Sequence, residues 1–189
     1  MIRRIPIIPT IIVLAAVATM IALGVWQLGR AEEKKLLIER YSEATENEEA
    51  TSFPLGGTGE AVWFRRSEID CRDVGPIQPV AGRAANGAKG WAMRTNCAVS
   101  EDAAILVDLG FSPDLSKPEW DGGLVSGVIA PGPRLIANPP VAGLEPLAKP
   151  DPGDLPNNHL AYAGQWFFFA LTALVIYGFA LRSRASKRD

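Results

Sequence analysis

Two long apolar runs frame the chain, one near each end. No charged residue occurs between Ile5 and Gly29, or between Leu155 and Leu181. About 20 apolar residues in a helix are enough to cross the hydrocarbon core of a bilayer. A helix also satisfies its own backbone hydrogen-bonding groups, as lipid surroundings require. The pattern therefore predicts two transmembrane helices, at residues 8–28 and 160–181.

The first apolar run also has features of a cleaved signal peptide. Arg3 and Arg4 precede it, and the tripeptide at 16–18, Ala-Val-Ala, is similar to a small-residue cleavage site. However, the run continues through Trp26, which makes it longer than the apolar part of a signal peptide. We therefore interpret it as an uncleaved anchor and keep the signal peptide as the alternative.

Between the two apolar runs, the chain is divided into short segments that are typical of a helix or of strands. Residues 30–49 are rich in helix formers, with Leu36, Leu37 and Tyr41 on one face, so either helix one continues outward or a short amphipathic helix follows it. Five later segments with Gly and Pro between them are typical of short strands, and they cover 61–70, 77–85, 90–99, 103–110 and 123–131. The pattern predicts an α+β, mainly antiparallel-β domain over 29–159, as one sheet or an open barrel. A proline-rich extended loop or linker over 131–158 leads back to the membrane.

The small net charge of −2 hides a separation of charge. Residues 31–158 contain 12 Lys and Arg against 20 Asp and Glu, a balance of −8, whereas the rest contains seven against one, a balance of +6. Basic residues beside a span favour the cytoplasmic side. We therefore predict cytoplasmic tails at 1–7 and 182–189, a periplasmic central domain and a bacterial inner (plasma) membrane location. Arg30, Lys34 and Lys35, just beyond helix one, weaken this signal.

The composition excludes several kinds of site. His159 is the single histidine, so one chain cannot supply a three-histidine zinc site or a two-histidine iron site. Cys71 and Cys97 alone cannot hold a four-thiolate cluster, and we prefer unpaired thiols over a disulfide between them. The acidic total argues against a nucleic-acid partner. No nucleophile motif accompanies the histidine, so we do not expect an enzyme.

One arrangement of side chains remains at the start of the second span. His159 shares a helix face with Tyr162, Trp166 and Phe169. A single imidazole serves as an axial haem ligand in many proteins. On the first span Trp26 and Arg30 are i, i+4 neighbours, and a guanidinium group pairs well with a haem propionate. The plainer interpretation is that these residues are interfacial anchors, and the residues alone favour it.

Four stretches of the chain resemble the surfeit locus protein 1 family, the membrane factors for cytochrome c oxidase assembly. The stretches are GVWQLGRAEEKKLLIER at 24–40, GAKGWAMRTNC at 87–97, AAILVDLGFSP at 103–113 and NNHLAYAGQWFFFALTALVIY at 157–177. The second-span signature of the family is matched by Asn158, His159, Leu160, Tyr162, Trp166 and Phe167. The chain departs from the family at 108–111, where Asp-Leu-Gly-Phe replaces the usual Asn-Arg-Gly-Trp.

The resemblance implies a role at the step where haem a enters oxidase subunit one. The family's proposed axial ligand falls on His159, with Tyr162 and Trp166 on the second span, and Trp26, Gln27 and Arg30 on the first, shaping the haem site. The implied partners are subunit one, other oxidase assembly factors and the lipid bilayer. One alternative is a structural chaperone that stabilises subunit one without binding haem. Another is a two-span anchor with a periplasmic sensing domain.

Overall fold

The chain forms two compact units in a computed structural model that describes residues 6–186, with side chains through residue 184. The first unit contains the two long helices up to residue 37 and from residue 156, and the second covers residues 38–155. Helix α1 is Ile7–Glu46 and helix α2 is His159–Ser186. The predicted tail residues Arg3, Arg4, Lys187 and Arg188 lie outside the described residues.

Both helices are long and apolar enough to cross a membrane. Only 11% of the most apolar stretch of the first and 6% of that of the second is buried, whereas the core helix of a soluble protein is mostly buried. Helix α1 runs unbroken to Glu46, so helix one continues beyond the predicted span and no separate amphipathic helix follows it there. Leu36, expected on the apolar face of this extension, is 55% exposed.

The helices pack along one narrow stripe on each, which we call the seam. The less exposed residues recur at alternating spacings of three and four, the pattern of left-handed helix packing. On α1 they are Thr10, Val13, Val17, Met20, Gly24, Gln27 and Ala31, and on α2 His159, Ala163, Trp166, Ala170, Ala173 and Tyr177. Several are small, and small residues let two helices approach closely in lipid.

Contacts along the seam fix an antiparallel arrangement. Near the start of α1, the Thr10 hydroxyl is 2.5 Å from the Tyr177 hydroxyl. Further along, a Cβ placed on Gly24 would lie 2.6 Å from the ring of Phe167, so a larger residue there would have to displace that ring. Later residues of α1 thus contact earlier residues of α2. The end of the apolar run of α1 therefore lies against the first turn of α2.

The second unit is a seven-stranded mixed sheet. The strand order is β1-β6-β7-β5-β4-β2, and β3 also pairs with β4. All pairs are antiparallel except the parallel pair of β5 with β7. The strands are β1 Arg66–Cys71, β2 Asp73–Val74, β3 Gln78–Arg83, β4 Lys89–Ser100, β5 Ala103–Ser112, β6 Gly123–Ala130 and β7 Arg134–Ala137.

The sheet curls until its first strand meets β4, and we call the closed sheet the barrel. The backbone N–H of Arg72, just after β1, donates to the Ala98 carbonyl on β4 at 2.9 Å. Beside it, Cys71 and Cys97 form a disulfide with their Cα atoms 5.1 Å apart. The preference for unpaired thiols was therefore wrong. The sequence did not reveal the disulfide, because Cys71 meets Cys97 only where the chain after β1 continues into β2 and pairs with β4.

The core of the barrel is apolar and tightly filled. Residues from several strands converge inside it with essentially no exposure, among them Val107, Leu109, Val125, Ile129 and Leu135. A smaller cluster around Phe111 lies on the other face of β5 and is covered by the chain segment that bridges it at Glu145. Leu109 stands where the resembling family has arginine, and here it is a core residue.

Two sequence predictions about the barrel are corrected by the structure. The strand predicted at 61–70 begins only at Arg66 because a short 3-10 helix, Glu60–Val62, and left-handed backbone at Gly59 and Phe64 interrupt extended chain. The proline-rich stretch at 131–158 is not all linker, because it contains β7. Prolines at its edges hid this four-residue strand, which is buried because it inserts between β5 and β6.

The buried charge of the barrel is compensated. Asp108 on β5 has a side chain only 4% exposed, and two arginines bind it. Arg94 donates to both carboxylate oxygens at 2.5 and 3.0 Å, and Arg134 donates from Nε at 3.1 Å. The hydrogen bond to Asp108 raises the pKa of the Arg94 guanidinium. Such pairing is what allows a carboxylate to be removed from water.

Candidate functional site

At the start of α2, His159 lies against α1. His159 is the first residue of α2 and follows Pro156 and two asparagines. Proline and asparagine favour the chain just before a helix rather than its interior. The Asn158 carbonyl accepts the first backbone hydrogen bond of the helix from Tyr162, at 3.2 Å. This boundary sets the imidazole on the seam, half-buried, at one end of the helix pair.

Gln27 of α1 is the hydrogen-bond partner of the imidazole. The Nδ1 atom of His159 lies 2.7 Å from the side-chain oxygen of Gln27. The other ring nitrogen, Nε2, has no hydrogen-bond partner among the residues that the structure describes. One nitrogen is thus held by the protein, and the other keeps its capacity to bind a ligand.

Asn157 makes a second polar contact beside the histidine. Its side-chain amide donates to the Ala31 carbonyl on α1 at 3.3 Å. Its side-chain oxygen is buried and has no hydrogen-bond partner in the described part of the chain. A buried acceptor without a donor costs about 1–3 kcal/mol. We call the group of Gln27, Ala31, Asn157 and His159 the His159 end of the helix pair.

The residues predicted to share a face with His159 divide into two groups. Trp166 lies on the seam, half-buried, with its ring edge-to-face against Phe169 at 6.3 Å. Tyr162 is 50% exposed and Phe169 49% exposed, so both point away from α1. The seam on α2 runs through His159, Ala163, Trp166 and Ala170. Tyr162 and Phe169 each lie one residue before a seam position, so their side chains fall outside the contact with α1.

The residues predicted on α1 also divide. Gln27 contacts the histidine, as described above, whereas Trp26 is 56% exposed. Arg30 is exposed and pairs with Glu33 one turn further along the same helix. The structure thus brings His159, Trp166 and Gln27 to the seam, and leaves Tyr162, Trp26 and Arg30 around its rim.

Sequence reasoning missed Asn157 and the small residues of the seam. Ala163 lies one turn after the histidine and is 1% exposed, and Gly24 faces the same region of α2. The signal was present in the spacing of alanines at 163, 170 and 173 on α2, which matches a packing stripe. The sequence pattern did not indicate the contact of Asn157 with α1, because that contact depends on where α2 begins.

The barrel offers a different kind of cavity. A groove of about 180 Å³ lies beside β1 and β6 and is lined by Glu48, Arg66, Glu68, Ser126 and Asn138, among others. Pockets for cofactor-sized ligands generally have volumes of about 300–1,000 Å³ and are mainly apolar. This groove is too small and too polar for a macrocycle. In the described part of the chain, no three or more His, Cys, Asp and Glu side chains form a group that could hold a metal ion.

The fold and site together define a two-span membrane protein with a β-rich domain between its spans. Comparison with protein families then matches residues 14–171 to the SURF1 family, and the chain belongs to that family. The family is associated with cytochrome c oxidase assembly and comprises assembly factors, not known enzymes. A search of curated proteins gave no match to this chain.

Proposed function

We propose that this chain binds haem a at the His159 end of its helix pair and assists its insertion into subunit one of cytochrome c oxidase. The observation that carries the proposal is the half-buried imidazole, whose Nδ1 is bound by Gln27 and whose Nε2 has no partner among the described residues. Iron is commonly ligated by one imidazole nitrogen while the other donates to a protein acceptor. The contact of Nδ1 with Gln27 supports such a role for His159.

The neighbouring groups fit the chemistry of haem a. The macrocycle and its isoprenoid tail are apolar, and exposed apolar side chains surround the histidine, including Leu160, Tyr162 and Trp26. Haem a also carries a hydroxyl group at the root of that tail. The buried side-chain oxygen of Asn157, which has no partner in the part of the chain that the structure describes, is an acceptor for such a donor. A hydroxyl there would remove the cost of leaving the acceptor unpaired.

The proposed role is delivery, with haem a as cargo. His159 is the one protein ligand that we assign, and an open site at the edge of two helices leaves the cargo accessible to subunit one. A single ligand favours transfer over permanent storage. In this proposal subunit one and other oxidase assembly factors are partners, and the chain performs no catalytic turnover.

The proposal places the barrel in the periplasm and both termini in the cytoplasm, in a bacterial inner membrane. Arg182 and Arg184 are exposed near the end of α2 and support a cytoplasmic C-terminus. The disulfide of the barrel supports an oxidising compartment for the central domain. The His159 end then lies at the periplasmic edge of the membrane.

The test is to purify the full chain from a strain that makes haem a and to record its absorption spectrum. We expect haem a with the wild-type chain and little or none with His159→Ala. Gln165→Leu, which changes an exposed polar residue on the same helix, is the matched control and should retain haem a. A wild-type chain without haem a that still restores oxidase in a deletion strain would refute haem binding. It would favour the structural chaperone of subunit one, to which the exposed apolar helix faces are also suited.

A further inference from the structure

Gln27 is a polar side chain in the last turns of the apolar stretch of α1. It is half-buried on the seam, where polar groups removed from water need partners. Its neighbours on the seam, Gly24 and Ala31, carry no polar side-chain atoms. The partner that the structure gives its side-chain oxygen is the imidazole of His159.

The chemistry of this contact determines where the imidazole proton lies. The Gln27 amide is oriented with its oxygen toward Nδ1, 2.7 Å away, and because an amide oxygen only accepts hydrogen bonds, this orientation makes Nδ1 the donor. A neutral imidazole has one N–H. With the proton on Nδ1, the lone pair is on Nε2, the atom without a partner among the described residues.

We infer that Gln27 is a positioning residue that holds neutral His159 in the Nδ1–H form, so that Nε2 alone presents a lone pair. The significance for haem a rests on the function proposed above, but the proton position belongs to the chain by itself. Gln27 acts on a ligand only through the histidine. Loss of a hydrogen-bond partner of a ligating histidine generally lowers metal affinity about 10- to 100-fold.

The chain allows an unusually direct test because it contains one histidine. We would prepare the full chain with ¹⁵N-labelled histidine, purify it through a histidine-free affinity tag and place it in lipid nanodiscs without haem. At about pH 8.5, where a free imidazole is neutral, the ¹⁵N spectrum reports the tautomer of one residue.

Four proteins decide the question. The wild type and Gln165→Leu should show the Nδ1–H form, because the latter residue is exposed on α2 and does not contact the imidazole. Gln27→Glu should keep that form, since an ionised carboxylate also only accepts. Gln27→Leu should give a mixture of both tautomers. A proton on Nε2 in the wild type, or a Gln27→Leu spectrum like that of the wild type, would overturn the inference.

Titration with haem a separates this inference from the proposed function. Gln27→Leu should raise the Kd about 10- to 100-fold, and Gln27→Glu should stay close to the wild type. Unchanged affinity in Gln27→Leu would contradict the positioning role. Absence of haem binding by the wild type would instead contradict the proposed function, while the tautomer spectra would still decide the role of Gln27.

Discussion

The barrel and the helix pair bury different kinds of residue. The barrel encloses large aliphatic side chains such as Leu109 and Leu135, and its buried carboxylate, Asp108, has two cationic partners. The helix pair buries small residues such as Gly24 and Ala163 and leaves its large apolar side chains exposed. At its His159 end it also keeps an imidazole nitrogen and a buried amide oxygen without partners among the described residues.

Under the proposed function, this difference assigns stability to the barrel and binding to the helix pair. The barrel pairs its buried carboxylate and has only a small groove there, although Arg65 Nε is also buried without a hydrogen-bond partner among the described residues. Unpaired polar groups beside exposed apolar surface are costly unless something binds them. The predictions below test that division of roles, beginning with the largest expected effect.

Removing the disulfide should destabilise the barrel most. Cys71 and Cys97 are 26 residues apart, and cross-links closing loops of that length contribute about 3 kcal/mol. We expect Cys71→Ala/Cys97→Ala to lower the barrel's midpoint of thermal unfolding by roughly 10 °C. At low temperature, haem a binding should be unchanged. Loss of haem affinity in a variant whose barrel is still folded would show that the two regions do not have separate roles.

Removing the buried carboxylate should have the next largest effect. Asp108→Asn leaves two guanidinium groups facing a neutral amide, and we expect a loss of about 2 kcal/mol, less than for a fully buried pair because the arginines are partly exposed. Asp70→Asn breaks an exposed pair with Arg72 at 3.7 Å and is the matched control. It should cost less than about 0.5 kcal/mol in chemical denaturation. Equal losses would mean that burial does not determine the strength of these pairs.

A bulky residue on the seam should affect the helix pair and spare the barrel. Gly24→Leu places atoms where the Phe167 ring lies, and overpacking of this kind costs about 1–3 kcal/mol. We expect it to weaken haem a binding and to give His159 a mixture of tautomers. Gly29→Leu is the control, since a Cβ there meets nothing within 4 Å. A barrel unfolding midpoint that falls only in Gly24→Leu would contradict the assignment of this glycine to the helix pair.

The smallest expected effect is a change in how the stability of the barrel unit, residues 38–155, depends on pH. Tyr41 is 3% exposed and packs on Phe64 with ring centroids 5.1 Å apart. Burial raises the pKa of Tyr41 above its usual 10.0, and the charge of Glu60 adds to the rise. The unfolded chain therefore loses this proton more readily, so stability is fully present below pH 10 and declines as the pH rises through the folded-state pKa. Tyr41→Phe should reduce that alkaline decline in denaturant unfolding, and an identical decline would contradict it.

The sequence predicted the helices and most strands because their patterns are local. Apolar runs defined both helices, and alternating segments identified β1 and β3 to β6 in outline. It did not predict β7 or the disulfide, because each depends on how distant strands meet. In the proposed site, His159 was predicted from composition and Gln27 from the family resemblance, and both stay predictions; the structure shows the contact between them. Asn157 and Gly24 were not found, because their roles appear only when the seam brings the two helices together.

The most direct test of the account is to titrate haem a into the full chain in nanodiscs, with empty nanodiscs to measure partitioning into lipid. Three proteins suffice: the wild type, His159→Ala and Arg66→Ala, which alters the groove of the barrel. We expect His159→Ala to weaken binding by at least about 100-fold, more than loss of a histidine's hydrogen-bond partner usually does. Arg66→Ala should bind as the wild type does. Weakened binding in Arg66→Ala with unchanged binding in His159→Ala would place the haem site on the barrel and contradict the account.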